Sequence, residues 1–321
     1  MTVASGRKRS PISNTENSLF FSLVDYRNNY FTSDDPDKII EFYNGFKNRD
    51  QLIQWMRERP KGVANIHEVE GEKDIIVVIP TADFYGKYAK ECRDNIFKGL
   101  HMVFVESGEA PDPYFNYAHN CNIGIMKAME HNPKWIVISN DDMYKLDDIH
   151  KLVHNLSEHR NADIVYVTKS HHHSHVSNIA TPTYFFKLYQ KLSKIGRYYV
   201  SCSSRFMISY YPVDLNIMRS LFFRNSLNYL EQQSFMIFSI NFLKREGAKI
   251  LDEVYINHCE DTDVSINIIV NKVKTSQVNY LIGDYVGSTL KINESRKLRS
   301  IASLAYFNSK WSNLLDGMSS V

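Results

Sequence analysis

Two adjacent carboxylates follow a short apolar run in the middle of this chain. Residues 135–139 have the pattern of a buried strand, and Asn140, Asp141 and Asp142 come directly after them. Charges at the end of a buried strand are poorly solvated, and two like charges side by side worsen the problem. A bound divalent cation would compensate for both effects, so the pattern indicates a metal site. A solvated turn is the alternative, because Asn and Asp are common in turns.

The position of these carboxylates depends on the elements around them. Short β-rich runs occupy residues 74–79, 101–105, 135–139 and 163–167. Helical periodicity separates these runs, which predicts an α/β fold with a mostly parallel, Rossmann-like sheet and helices on both faces. Ligands of such sheets bind beyond the carboxyl ends of the strands, where Asp141 and Asp142 fall. This topology favours the functional interpretation over the turn.

Composition limits the class of protein and of partner. The chain has 321 residues, 43% of them hydrophobic, so it can build a sizeable core. Its 38 basic and 36 acidic residues give a net charge of only +2, so we expect no nucleic-acid partner. The four cysteines lie far apart, which argues against a disulfide framework and a cysteine-rich zinc site. No run approaches the ~20 apolar residues of a membrane span. We expect a soluble, cytoplasmic protein, with peripheral membrane contact left open.

The turn after the first strand carries no phosphate cradle. Residues 79–86 read IPTADFYG, whereas a dinucleotide-binding domain would place G-x-G-x-x-G there and a P-loop would place G-x-x-x-x-G-K. A nucleotide bound here would need another way to neutralise its phosphates. A cation held by the strand-end carboxylates would provide it, so the sequence predicts a nucleotide diphosphate bridged by a metal.

Three segments resemble, in order, the nucleotide-sugar domain of family 2 glycosyltransferases, which have the GT-A fold. They are residues 104–108 (FVESG), 115–128 (FNYAHNCNIGIMKA) and 135–142 (WIVISNDD). The resemblance implies that Asp142 is a metal ligand, with Mn²⁺ or Mg²⁺ as cofactor, and that Asp141 contacts the ribose or sugar of the donor. Some such enzymes draw a further ligand from a late His. This chain has none in residues 281–288, where Asp284 and Ser288 are the weaker candidates.

The resemblance also implies a wider donor site for a UDP-, GDP- or TDP-sugar. Its candidate donor-binding residues are Pro80, Thr81, Asp83, Glu106, Asn122, Gly124 and Asp141. Asn122 and Gly124 lie near the start of a predicted helix, where they offer an amide donor and close backbone approach. Plain helix packing is the alternative for both residues.

A fourth segment, residues 249–266, is similar to the glycosyltransferase segment that ends in E-D-x-D before an apolar helix. An acceptor hydroxyl must lose its proton as it attacks the anomeric carbon, and a carboxylate within reach can take that proton. The resemblance assigns this base to Asp261, with Glu260 as its nearest rival. A helix-capping role for Asp261 or Thr262 is the alternative.

The implied enzyme is hexosyltransferase-like and inverting, with a single displacement at the anomeric carbon. Asp261 would deprotonate the acceptor while the metal on Asp142 stabilises the departing nucleoside diphosphate. The acceptor, whether a glycan, a lipid-linked sugar or a protein, is not identified by the sequence. Two other classes stay open. One is a nucleotidyltransferase that makes nucleotide sugars, although residues 79–86 lack its Gly-rich loop, and the other is a non-catalytic binding or structural protein that kept the fold.

The predicted organisation has three parts. They are an N-terminal helical extension (residues 1–70), a GT-A domain (71–290, with a nucleotide-sugar half at 71–168 and an acceptor half at 169–290) and a C-terminal helical segment (291–321). His171, His172, His173 and His175 could bind a transition metal, but we prefer a solvated or acceptor-side loop there. In the C-terminal segment, core packing is favoured over a membrane-surface helix.

Overall fold

The computed structural model describes residues 33–107, 114–159, 161–168, 174–182, 207–209, 223–285, 294–311 and 313–314. Within these residues the helices are α1 (Pro36–Asn44), α2 (Arg49–Glu58), α3 (Lys87–Glu91), α4 (Tyr117–Met129), α5 (Ile149–Glu158), α6 (Ile240–Glu246), α7 (Glu260–Val270) and α8 (Glu294–Lys310), with a π-helical turn, Cys92–Ile96, after α3. The strands are β1 (Ala64–Val69), β2 (Glu72–Thr81), β3 (Leu100–Ser107), β4 (Trp135–Ser139), β5 (Met143–Lys145), β6 (Ile164–Tyr166), β7 (Ser174–Pro182), β8 (Met207–Ser209), β9 (Phe223–Gln232), β10 (Phe235–Ser239), β11 (Thr275–Gln277) and β12 (Ile282–Asp284).

Seven of the strands form one mixed sheet, in the order β1-β3-β2-β4-β10-β6-β11. Five of them run in one direction, while β1 and β10 run in the other. The prediction of an α/β fold with a mostly parallel sheet is confirmed, and all four predicted strands are present as β2, β3, β4 and β6. β10 is not among the predicted strands. It inserts antiparallel between β4 and β6, with Ile237 opposite both Val137 and Val165.

Helices cover both faces of this sheet, as predicted. On one face, Ile149 and Leu152 of α5 belong to the same buried cluster as Val77 of β2. On the other face, Ile125 of α4 and Val264 of α7 pack with Val78, the next residue of that strand. Because successive side chains of a strand point to opposite faces, one apolar run supplies both cores. This explains why β2 and β4 have continuous apolar sequences.

A third core joins the two ends of the described chain. The predicted N-terminal helical extension contains α1 and α2, and they pack against α8 through Ile39, Leu52 and Phe307. The hydroxyl of Tyr43 donates to the carbonyl oxygen of Leu298 at 2.8 Å. The core-packing interpretation of the C-terminal segment is therefore confirmed for α8. The sheet begins before residue 71, because β1 pairs with β3.

Candidate functional site

The two strand-end carboxylates lie where the parallel strands finish. Asp142, which follows β4, is only 7% exposed. Thr81 ends the neighbouring strand β2, and its Oγ1 donates to Oδ2 of Asp141 at 2.7 Å. The two residues meet because β2 and β4 are parallel neighbours, so their carboxyl ends share one edge of the sheet. The structure thus brings together Thr81 and Asp141, which the sequence analysis placed in one site.

Negative charge at this edge is poorly solvated. Burial is the main cause that raises the pKa of Asp141 to about 6, and the charge of Asp142 adds to it, against the hydrogen bond from Thr81. The thiol of Cys92 donates to the carbonyl oxygen of Asp141 at 3.2 Å. Burial, followed by the charges of Asp141 and Asp142, raises the pKa of that thiol. A hard divalent cation would relieve this repulsion, and carboxylate oxygens are the ligands that Mg²⁺ and Mn²⁺ prefer, so the residues fit such an ion.

Asp284 is tied to the same strand end. In the two-stranded ladder of β5 and β12 it lies opposite Met143, and the next residue, Tyr285, donates from its backbone nitrogen to the carbonyl oxygen of Asp142 at 2.9 Å. The hydroxyl of Ser234 donates to Oδ2 of Asp284 at 2.6 Å. Asp284 therefore stands close to the Asp142 segment, while Ser288 lies outside the described residues.

Glu106, at the end of β3, holds the turn that follows β2. Its Oε1 accepts from the backbone nitrogen of Phe84 at 2.9 Å, and its Oε2 lies 2.8 Å from Nε2 of His67. The hydrogen bond from Phe84 is the main cause that lowers the pKa of Glu106. Asp83 is exposed in this turn, and Pro80 is buried in β2. Glu106 therefore fixes the turn after β2, and Thr81, which begins that turn, bonds Asp141.

Asn122 and Gly124, on α4, make their contacts elsewhere. Nδ2 of Asn122 donates to the carbonyl oxygen of Leu251 at 2.8 Å, and its Oδ1 accepts from the nitrogen of Leu251 at 3.2 Å. A Cβ added at Gly124 would lie 2.3 Å from Cγ1 of Val78 and 2.9 Å from Cγ2 of Val105. Gly124 therefore lets α4 approach the sheet, and Asn122 ties α4 to the segment before α7. These contacts favour the packing interpretation for both residues.

The downstream acids open helix α7, as the apolar pattern after them predicts. Asn257 and Cys259 have φ angles of 53° and 71°, a left-handed conformation that costs non-glycine residues about 1–3 kcal/mol each. Cys259 is the N-cap residue and makes no side-chain capping bond. Neither Asp261 nor Thr262 is the N-cap residue, because the helix begins at Glu260 and contains both. Oδ1 of Asp261 nevertheless accepts from the first-turn backbone nitrogen of Thr262 at 2.8 Å. The chain therefore enters α7 through two residues in the left-handed region.

A third carboxylate, Glu231, joins Glu260 and Asp261. It is fully buried in β9, and its Oε1 accepts from Oγ1 of Thr262 at 2.5 Å. Burial is the main cause that raises the pKa of Asp261 well above its ordinary value, and the charges of Glu231 and Glu260 raise it further. Burial also raises the pKa of Glu260 to about 7. Glu231 is not among the residues predicted from the sequence, because its one local signal is a carboxylate near the end of a strand-like run.

Arg296 of α8 brings a positive charge near Glu260. The charge of Arg296 opposes the effect of burial on Glu260, which is the larger of the two. Burial lowers the pKa of His258 to about 4, and Arg296 lowers it further, so this imidazole is neutral at pH 7. His258 is consequently not a competing source of positive charge beside Asp261.

Tyr117 is hydrogen-bonded to residues next to both acidic segments. Its hydroxyl donates to Oδ1 of Asn140 at 3.1 Å, and its backbone nitrogen donates to Oδ1 of Asn257 at 2.9 Å. Burial is the main cause that raises the pKa of this phenol, and the nearby charges of Glu260 and Asp261 also raise it. Tyr117 therefore contacts both the residue after β4 and the segment just before α7, which are more than 100 residues apart in sequence.

Comparison with known proteins finds no family model and no curated protein that matches this sequence. The resemblance to family 2 glycosyltransferases consequently stays a prediction, and function is inferred from the residues of this site. His171, His172 and His173 lie outside the described residues, and His175 lies in β7. Among the described helices, none is both long and apolar enough to cross a membrane.

Proposed function

We propose that the protein is a metal-dependent inverting glycosyltransferase with the GT-A fold. One observation carries the proposal: Tyr117 connects the Asp141–Asp142 strand end to the segment that holds Glu260 and Asp261. A reaction of this class needs a cation-binding group at the departing diphosphate and a base at the attacking hydroxyl. The mixed sheet, with acids beyond the ends of its parallel strands, is compatible with that fold.

The donor side of the proposal rests on Asp141, Asp142 and Thr81. Asp142 would ligate Mn²⁺ or Mg²⁺, and that ion would neutralise the charge that develops on the nucleoside diphosphate. Asp141 would contact the ribose or the sugar. Because Oδ2 of Asp141 accepts from Thr81 at 2.7 Å, the hydrogen bond holds this carboxylate in one orientation before the donor arrives.

The acceptor side of the proposal rests on Asp261. Its partial exposure supports it over Glu260 and Glu231, which are both buried and so less able to reach an acceptor. As the acceptor oxygen bonds to the anomeric carbon and the bond to the diphosphate oxygen breaks, the acceptor proton would pass to Asp261. A carboxylate with a raised pKa binds that proton more strongly, which makes it a better general base.

The test is incubation with UDP-, GDP- and TDP-sugars in Mn²⁺ or Mg²⁺, with release of nucleoside diphosphate as the readout. We expect Asp261→Asn to lower the rate about 10²–10⁴-fold with unchanged donor binding, as for loss of a general base. Asp142→Asn should abolish metal-dependent donor binding in calorimetry. The matched control is Asp94→Asn, since Asp94 is 53% exposed and pairs with its neighbour Arg93.

Three outcomes would contradict the proposal. Absence of both turnover and nucleotide binding across the panel would favour a non-catalytic protein. Release of pyrophosphate from a nucleoside triphosphate and a sugar phosphate would favour a nucleotidyltransferase. Unchanged metal-dependent donor affinity in Asp142→Asn would remove Asp142 from the cation site.

A further inference from the structure

Glu68, His101 and His131 form a cluster near the amino ends of the parallel strands, whereas Asp141 and Asp142 lie at the carboxyl ends. Glu68 is in β1, His101 is the second residue of β3, and His131 follows α4. The Asp141–Asp142 segment lies at the carboxyl ends of the parallel strands, whereas His101 lies at an amino end. The cluster is therefore separate from the proposed active site.

The three side chains converge on one point. Oε2 of Glu68 lies 3.0 Å from Nε2 of His101 and 2.7 Å from Nε2 of His131. One possible ligand atom from each residue lies within 4.8 Å of the others. Ligand atoms at about 2.0–2.1 Å from a tetrahedral Zn²⁺ are separated by about 3.3 Å, so these side chains need only small shifts to share an ion.

His101 provides an independent observation. Its side chain is fully buried, yet its Nδ1 has no hydrogen-bond partner among the described residues. A carboxylate oxygen of Glu70 lies 3.6 Å from that nitrogen, too far for a good hydrogen bond. In metal sites, a histidine bound through one ring nitrogen usually donates from the other to a carboxylate. Glu70 stands where that second partner would be.

We propose that Glu68, His101 and His131 form a binding site for Zn²⁺ or a similar late first-row divalent ion. Two imidazoles and one carboxylate favour Zn²⁺, Co²⁺, Ni²⁺ or Cu²⁺, whereas Mg²⁺ and Mn²⁺ favour all-oxygen ligands. Both imidazoles bind through Nε2, and water fills the fourth position, because Glu68 and His131 reach solvent. Lys127 lies 3.1 Å from Oε1 of Glu68, so Oε2 is the oxygen that faces the ion.

Binding of an ion would change the contacts within the cluster. The contacts of Oε2 of Glu68 with Nε2 of His101 and Nε2 of His131 would be replaced by bonds from all three atoms to the metal.

The test is titration of the chelator-treated full-length chain with Co²⁺, followed by the visible absorption of tetrahedral Co²⁺ and by competition with Zn²⁺. We expect one equivalent to give the tetrahedral spectrum, and His131→Gln to weaken that binding at least tenfold. Glu70→Gln should weaken it about 10–100-fold, as is usual for loss of such a second partner. The matched control is His154→Gln, since His154 is 72% exposed on α5; it should bind as the wild type does.

Circular dichroism and thermal unfolding of each variant show whether it folds, and His131→Gln is preferred to a change at buried His101 for that reason. Asp142→Asn serves as the second control and should keep the Co²⁺ spectrum. Absence of a tetrahedral spectrum in the wild type, or equal affinity in the wild type and folded His131→Gln, would overturn the proposal and leave a hydrogen-bonded cluster only.

Discussion

The hydroxyl of Tyr117 donates a hydrogen bond to Oδ1 of Asn140 at 3.1 Å. Tyr117 begins α4, and Asn140 is the first residue after β4. The bond therefore connects a helix start with the residue that precedes Asp141. The backbone nitrogen of the same tyrosine donates to Asn257. A shift of the segment around Asn140 would therefore move Tyr117 and, through it, the segment around Asn257.

Tyr117→Phe should lower turnover about tenfold, because about 1.4 kcal/mol of positioning energy is lost while the ring stays in place. It should also lower the free energy of unfolding by about 1 kcal/mol. The control is Tyr306→Phe, which removes a comparable hydroxyl bond of 2.8 Å to Asp252 in the third core. Steady-state kinetics and urea unfolding should show similar stability losses and a loss of turnover in Tyr117→Phe alone. Equal turnover losses in both variants would contradict a positioning role.

The rate of transfer should rise with pH as Asp261 loses its proton, with a midpoint well above the ordinary carboxylate value of about 4. After burial, the charge of Glu231 is the main cause that raises the pKa of Asp261. Glu231→Gln keeps an oxygen that can accept from Thr262 but removes that charge. We expect the acid limb of the pH–rate profile to move to lower pH, because the repulsive charge beside Asp261 is gone. The control is Glu158→Gln on the exposed face of α5, which should leave the profile unchanged. If the acid limb of Glu231→Gln also stays where it is in the wild type, the charge of Glu231 does not act on Asp261.

Glu260 should make the folded state less stable as pH rises. Its pKa is about 7 in the folded chain against an ordinary 4.5, so the folded state holds the proton more tightly. Below pH 4.5 Glu260 is protonated in both the folded and the unfolded state, so it does not reduce the free energy of unfolding. Stability falls between pH 4.5 and 7, and above pH 7 the loss is constant at up to about 3 kcal/mol.

Glu260→Gln should therefore raise the free energy of unfolding at pH 8 and leave it nearly unchanged at pH 4, because glutamine resembles the protonated acid. Urea unfolding of wild type and variant at both pH values measures the difference. Glu130→Gln, an exposed change at the end of α4, should have little effect at either pH. A variant that is less stable than the wild type at pH 8 would show that the Glu260 carboxylate is stabilised.

Gly124→Ala should destabilise the protein by roughly 1–3 kcal/mol, because the new methyl group would overlap Cγ1 of Val78 at 2.3 Å. Val78→Ala removes that atom. The double variant should lose less stability than the sum of the two single variants, as is usual for residues in contact. Unfolding free energies of the four proteins test the packing role. Strict additivity would contradict it, and loss of donor binding in a stably folded Gly124→Ala would restore the donor-site prediction.

Local patterns were sufficient for much of the fold. Parallel strands buried on both faces leave continuous apolar runs, so β2, β3, β4 and β6 could be read directly. The acids at residues 260–263 were likewise placed at a helix start. β10 could not be placed in the sheet, since an apolar run does not reveal which strands will flank it.

The sequence by itself determined the α/β class and the two acidic segments, one after an apolar strand and one before an apolar helix. Only the tertiary structure decided that Glu231 lies beside Asp261, that Asn122 bonds Leu251 across 129 residues, and that Tyr117 joins the two motifs. The physical reason is the sequence distance over which each effect acts. Periodicity and capping act over a few residues, whereas the burial of a carboxylate and the charges around it depend on segments that become neighbours after the chain folds.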